Sequence, residues 1–107
     1  VAFAGTALAD GQLPSSKGTL YTVPALTVAY VKKLTLFNTN AATQTILVYL
    51  NTTGTSRVWR RFVLAQNESA DVLGEGDSAI LQAGDLIEAS STNASAVDYY
   101  IAGVLEA

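Results

Sequence analysis

At 107 residues the chain has the length of one domain, enough to bury very roughly two thirds of its unfolded surface around a single core. Apolar residues make up 50% and charged residues only 14%, against about 25% charged in a typical soluble domain, and the net charge is −3, which disfavours whole-surface attraction to nucleic acid or anionic lipid. The absence of Cys removes disulfides and thiolate chemistry, and the absence of His removes Ser-His-Asp and Cys-His catalysis and His-ligated zinc.

Along the chain, clusters of Gly, Asn, Asp and Ser mark turns, with β-branched and aromatic runs between them. Such spacing, about 8–12 residues, predicts an all-β sandwich or barrel. The first run, 2–8, is followed by the polar, Pro-containing "GQLPSSKG". Residues 1–16 are therefore expected to be an arm and connector, with a plain edge strand as the alternative, and 17–107 the β domain. "VAFAGTALAD" has no basic stretch and too short an apolar core for a secretory signal. Further strands are expected near 18–23, 27–38, 44–51, 57–65, 69–73, 78–82, 85–91 and 96–106. No segment has a helical period, and no apolar run approaches the roughly 18 residues of a membrane-spanning helix. The expected fold is an antiparallel two-sheet sandwich, jelly-roll-like, with eight or nine strands.

Several of these strands are apolar on both sides. In 96–106, Val97, Tyr99, Ile101 and Leu105 oppose Tyr100, Ala102 and Val104; in 44–51, Ile46, Val48 and Leu50 oppose Leu47 and Tyr49. In 27–38, strict alternation sets Val28, Tyr30, Leu34 and Leu36 against Ala29, Val31 and Phe37. Parallel sheets carry such strands beneath helices. Without helices, the cover is expected to be another polypeptide or the N-terminal arm.

Charge is clustered. Six of the nine acids lie between Glu68 and Glu88. "GEGD" with Asp85 offers oxygen ligands for a hard cation, but without the regular calcium-loop spacing it reads as turn chemistry, and no metal or cofactor is expected. "RVWRRF" sets Arg57, Arg60 and Arg61 around Trp59. Alternation would put Arg60 on the face of Val58, Phe62 and Leu64, which predicts a bulge at Arg60-Arg61 or an edge strand. Trp and Arg are enriched at binding hot spots. The plainer alternative is a core Trp59 with arginines in exposed ion pairs worth about 0–1 kcal/mol each. An aromatic sugar platform would draw on Trp59, Tyr49 and Tyr100.

Three segments carry a resemblance: "LYTVP" leading to "YVKKLTLFNTN", then "FVLAQNESADV", then "LQAGDLIEASSTNASAVDYYIAGVLE". Together, over about residues 18–107, they resemble small β-sandwich virion proteins of tailed bacteriophages, the head decoration or cement proteins and related tail and fibre modules. Here Ala25-Leu26 follows Pro24, where such proteins often have Gly and a polar residue; a more apolar turn suggests contact with a neighbour. The resemblance implies a non-enzymatic capsid decoration protein on the outer surface of the virion. Its partners would be copies of itself, a trimer being favoured, and the major capsid protein, with neither nucleic acid nor membrane. The contact residues expected are Phe3 and Leu8 in the arm, Trp59, Arg60 and Arg61 in the basic strand, and Tyr100 in the last strand. The alternative function is a fibre or tail module that binds a host-surface glycan.

Overall fold

The computed structural model describes residues 3–52, 54–73 and 78–106, with side chains from Leu8 onward. Nine strands follow in order: β1 (Phe3–Gln12), β2 (Gly18–Thr22), β3 (Val28–Asn38), β4 (Gln44–Thr52), β5 (Thr55–Leu64), β6 (Ser69–Asp71), β7 (Ala79–Leu81), β8 (Leu86–Ser90) and β9 (Val97–Glu106). One sheet has the order β1-β9-β3-β6, with β7 also paired to β3; the other has the order β2-β8-β4-β5. Every pairing is antiparallel. β6 pairs with Thr35–Phe37 and β7 with Ala29–Val31, so the two occupy different stretches of one side of β3. Counted together they make the arrangement an eight-stranded jelly roll, the two-sheet antiparallel sandwich expected from the number of candidate strands.

The first strand is longer than the sequence suggests. It runs to Gln12 along β9 and forms one edge of the first sheet. The connector is tied down as well: the backbone N–H of Leu13 donates to the Val97 carbonyl, and Ser91 N–H donates to the Pro14 carbonyl. Leu13 itself is buried in the core.

Between the sheets lie the inward residues of each strand. β3 contributes Ala29, Val31, Leu34 and Leu36, with Ile101 beside them from β9, and Ile46, Val48 and Ile87 face them from β4 and β8 of the other sheet. Full burial of an aliphatic side chain of this size contributes about 1.5–3 kcal/mol. β4 and β9 alternate as their sequences predict. β3 does not: Val31 pairs with Gly103 and Lys33 with Ala102, leaving Lys32 as an extra residue. The bulge reverses the parity of everything after it. Leu34 and Leu36 therefore join Ala29 and Val31 inside, and Phe37 joins Val28 and Tyr30 outside, which corrects the faces expected for 27–38.

Polar groups close one end of the sandwich. Asn38 and Gln44 are fully buried. Asn38 Nδ2 donates to the carbonyls of Leu64 and Ala42 at 2.9 and 3.1 Å. Gln44 exchanges hydrogen bonds with Asn93, Nε2 donating to Asn93 Oδ1 at 2.9 Å and Oε1 accepting from Asn93 N–H at 2.8 Å. Buried amides are tolerated because they are paired in this way.

Candidate interaction surfaces

Both sheets carry exposed apolar side chains on their outward faces, beside charged ones. On the first sheet, Val28, Tyr30 and Phe37 from β3 share the outer side with Tyr100, Ala102 and Val104 from β9 and Ile80 from β7. Ile80 is 59% exposed, Phe37 39% and Tyr100 38%. Carboxylates flank this apolar strip at paired positions: Asp10 opposite Tyr100, Asp71 opposite Thr35, Asp98 opposite Phe37 and Glu106 opposite Val28. Tyr30 Oη donates to Glu106 Oε1 at 3.1 Å. That bond, some burial and the negative charge of Glu106 hold the Tyr30 phenol above its ordinary pKa. Gln12 Nε2 donates to Asp98 Oδ1, also at 3.1 Å.

On the second sheet, Leu47 and Tyr49 of β4 lie opposite Arg61 and Val58 of β5. Val58 is 59% exposed and Val63 51%. The Lys17 ammonium sits 5.1 Å from the centre of the Tyr49 ring, within range of a cation–π contact. Glu88 pairs with Tyr49 across β8 and β4 and is largely buried.

β5 is an edge strand, as predicted, but its bulge falls one residue before the position expected. Val48 pairs with Arg60 and Tyr49 with Val58, so the extra residue is Trp59. The bulge lets the indole pack against the core while Arg57, Arg60 and Arg61 stay exposed. Truncating Trp59 would therefore report on folding as much as on contact. Leu8 is the extra residue of a matching bulge in β1 and packs against the core of its own domain. Phe3 pairs through its backbone with Glu106, and its side chain lies outside the described residues. Tyr100 is on the outer face of the other sheet from Arg60 and Arg61, so the six expected contact residues do not form one patch.

The sugar platform does not assemble either. Trp59 turns to the core, Tyr49 lies beneath Lys17, and Tyr100 belongs to the opposite sheet. Gly74–Asp77, the core of the cation alternative, lies outside the described residues. Asp85 Oδ2 accepts from Gln82 N–H at 2.9 Å, which is turn chemistry. Among the described residues, no group of three or more His, Cys, Asp or Glu side chains gathers to hold a metal ion. Sequence reasoning missed Phe37, hidden by the β3 bulge, and passed over Ile80, Val58 and Val63.

No protein-family model and no curated protein matches the chain. Among solved structures, it is similar to one reported for Bacillus endospore appendages, described as disulfide-linked pili. The TM-score is 0.52 at 16% identity, over 97% of this chain and 85% of that one. This similarity extends across almost the whole sandwich and concerns the fold.

Proposed function

We propose that this chain is a non-enzymatic structural subunit that assembles through its outer sheet faces, and that it decorates the head of a tailed bacteriophage, bound to the major capsid protein and to its own copies. The observation that carries the reading is the outer face of the first sheet. A small domain leaves Ile80, Phe37 and Tyr100 exposed along one strip, where a free surface would favour mixed charge. Apolar strips of this kind are covered in working assemblies. The resemblance over 18–107 favours a phage head. Many modest contacts at symmetry-related positions would then multiply into stable attachment.

A second reading, a filament subunit, draws on the fold shared with the endospore appendage structure. That structure is described as disulfide-linked, whereas this chain has no Cys. A filament built from these 107 residues would therefore not be joined by disulfides through them.

The test adds purified protein to undecorated phage heads and counts bound copies by electron microscopy. Saturable decoration, lost when Phe37→Lys and Tyr100→Lys are combined, is the expected result. Bare heads beside free filaments would replace the head reading with the filament reading. Bare heads and no self-association would remove both.

A further inference from the structure

Charge is divided along this chain, and the fold converts the division into a polarity across the sandwich. All six basic residues lie between Lys17 and Arg61, and no acid lies between Asp10 and Glu68. The strands of the first sheet carry Asp10, Asp71, Asp98 and Glu106 against two lysines, Lys32 and Lys33 at the β3 bulge. On the second sheet Arg61 shares the outer side of β5 with Val58 and Val63, while Arg57 and Arg60 pair with the inward Leu50 and Val48 and are exposed at the open edge that β5 forms. The one carboxylate on the strands of this sheet, Glu88, is only 9% exposed. Each surface also bears exposed apolar side chains: Phe37, Ile80 and Tyr100 on the acidic one, Val58 and Val63 on the basic one.

From this we infer that the acidic outer face of the first sheet in one copy docks on the β5 side of the second sheet in another copy. The inference rests on the assembling-subunit reading and goes beyond it by stating which surface meets which. Pairing like with like would set acids against acids or arginines against arginines, and such juxtaposition is costly. Pairing unlike surfaces matches charge and covers both apolar strips. Such a contact is heterologous, so every copy keeps one free surface of each kind. The two surfaces face opposite sides of a body whose extents are 45 × 26 × 19 Å. Because the joined surfaces lie on opposite sides of one body, repetition of the contact extends as an open stack rather than closing into a small ring.

Two variants test this in mixture. One carries Phe37→Lys with Tyr100→Lys and keeps its basic surface. The other carries Val58→Glu with Arg61→Glu and keeps its acidic surface. All four positions are exposed, and circular dichroism with thermal melting checks that each variant is folded. Sedimentation velocity and native mass spectrometry then read the species. The wild type is expected to form a concentration-dependent series beyond a dimer. Each variant alone is expected to be a monomer, and the equimolar mixture a 1:1 dimer, because one productive contact survives. A variant that dimerises alone shows a like-with-like contact and overturns the proposal. So does a wild type that remains monomeric, or a mixture with no heterodimer. The head-decoration reading can survive any of these, because binding to undecorated particles is scored separately.

Discussion

At the scale of single residues, two positions affect stability in opposite directions. Gly103 lies where β9 passes the β3 bulge. A Cβ there would sit 2.2 Å from the Tyr30 carbonyl oxygen and 3.0 Å from Val31 Cα. Both obstacles are backbone, so neither can swing aside. Gly103→Ala is expected to destabilise the domain by about 1–3 kcal/mol or more, the cost of overpacking a rigid site. Urea unfolding checks it, and an unchanged midpoint would mean the bulge moves freely. At Tyr21 the opposite change is expected. Its hydroxyl is buried without a hydrogen-bond partner, a state that costs about 1–3 kcal/mol. Tyr21→Phe should leave stability unchanged or raise it by about 1 kcal/mol. Burial also pushes the Tyr21 phenol above the ordinary 10.0, and burial with the charge of Asp10 does the same for Tyr99. A raised acid pKa means that the folded state keeps a proton that the unfolded chain releases. Stability from this source is intact below about pH 10 and falls as pH rises through the folded values. Unfolding measured between about pH 9 and pH 11 should decline for the wild type and decline less for Tyr21→Phe. An identical slope in the two proteins would contradict the burial argument.

Alternation in the sequence read β4 and β9 correctly, because neither contains an extra residue. It misread β3, and it placed the bulge of β5 at Arg60-Arg61 instead of Trp59, because one inserted residue reverses every later side chain. The β3 bulge is marked in the sequence by the charged pair Lys32-Lys33, which breaks the alternation as Arg60-Arg61 does in β5, and by Gly103, which sits on a different strand. The pairing of Val31 with Gly103, far apart in the chain, is what brings the two together. The same limit hid the layout of the contact residues. Tyr100 and the arginines were recognisable as surface candidates, but only the order of strands puts them on opposite sheets. In the turn between β2 and β3 the apolar Ala25-Leu26 suggests contact with a neighbour; Leu26 is 92% exposed with φ at 59°. A left-handed conformation costs a non-glycine residue about 1–2 kcal/mol, while Gly in its place loses about 0.5–1 kcal/mol of entropy. Leu26→Gly is therefore expected to stabilise the monomer by up to about 1 kcal/mol, raising its melting temperature by a few degrees. If Leu26 is kept for contact, the same variant should assemble less well. A lower melting temperature would show that the turn is not strained, and unchanged assembly would remove Leu26 from the interface.

For the whole molecule, the division of charge between the two sheets makes ionic strength a direct probe of how copies meet. Contact between the acidic and basic surfaces would set Arg61, with Arg57 and Arg60 at the edge of β5, near Asp71, Asp98 and Glu106 of a neighbour. Such pairs, at the rim of an interface, act mainly on the rate of encounter. The apolar strip between them acts on persistence and is insensitive to screening. The Debye length shortens from about 10 Å at 0.1 M salt to about 3 Å at 1 M. Raising sodium chloride across that range is expected to slow association of the wild type severalfold while changing its dissociation rate little. Substituting sodium sulfate, which strengthens apolar burial, should slow dissociation even as it screens charge. Stopped-flow light scattering, after dilution and after mixing, reads both rates. Faster association at high salt would mean that like charges face each other across the contact, and the opposed polarity of the two sheets would then play no part in joining the copies.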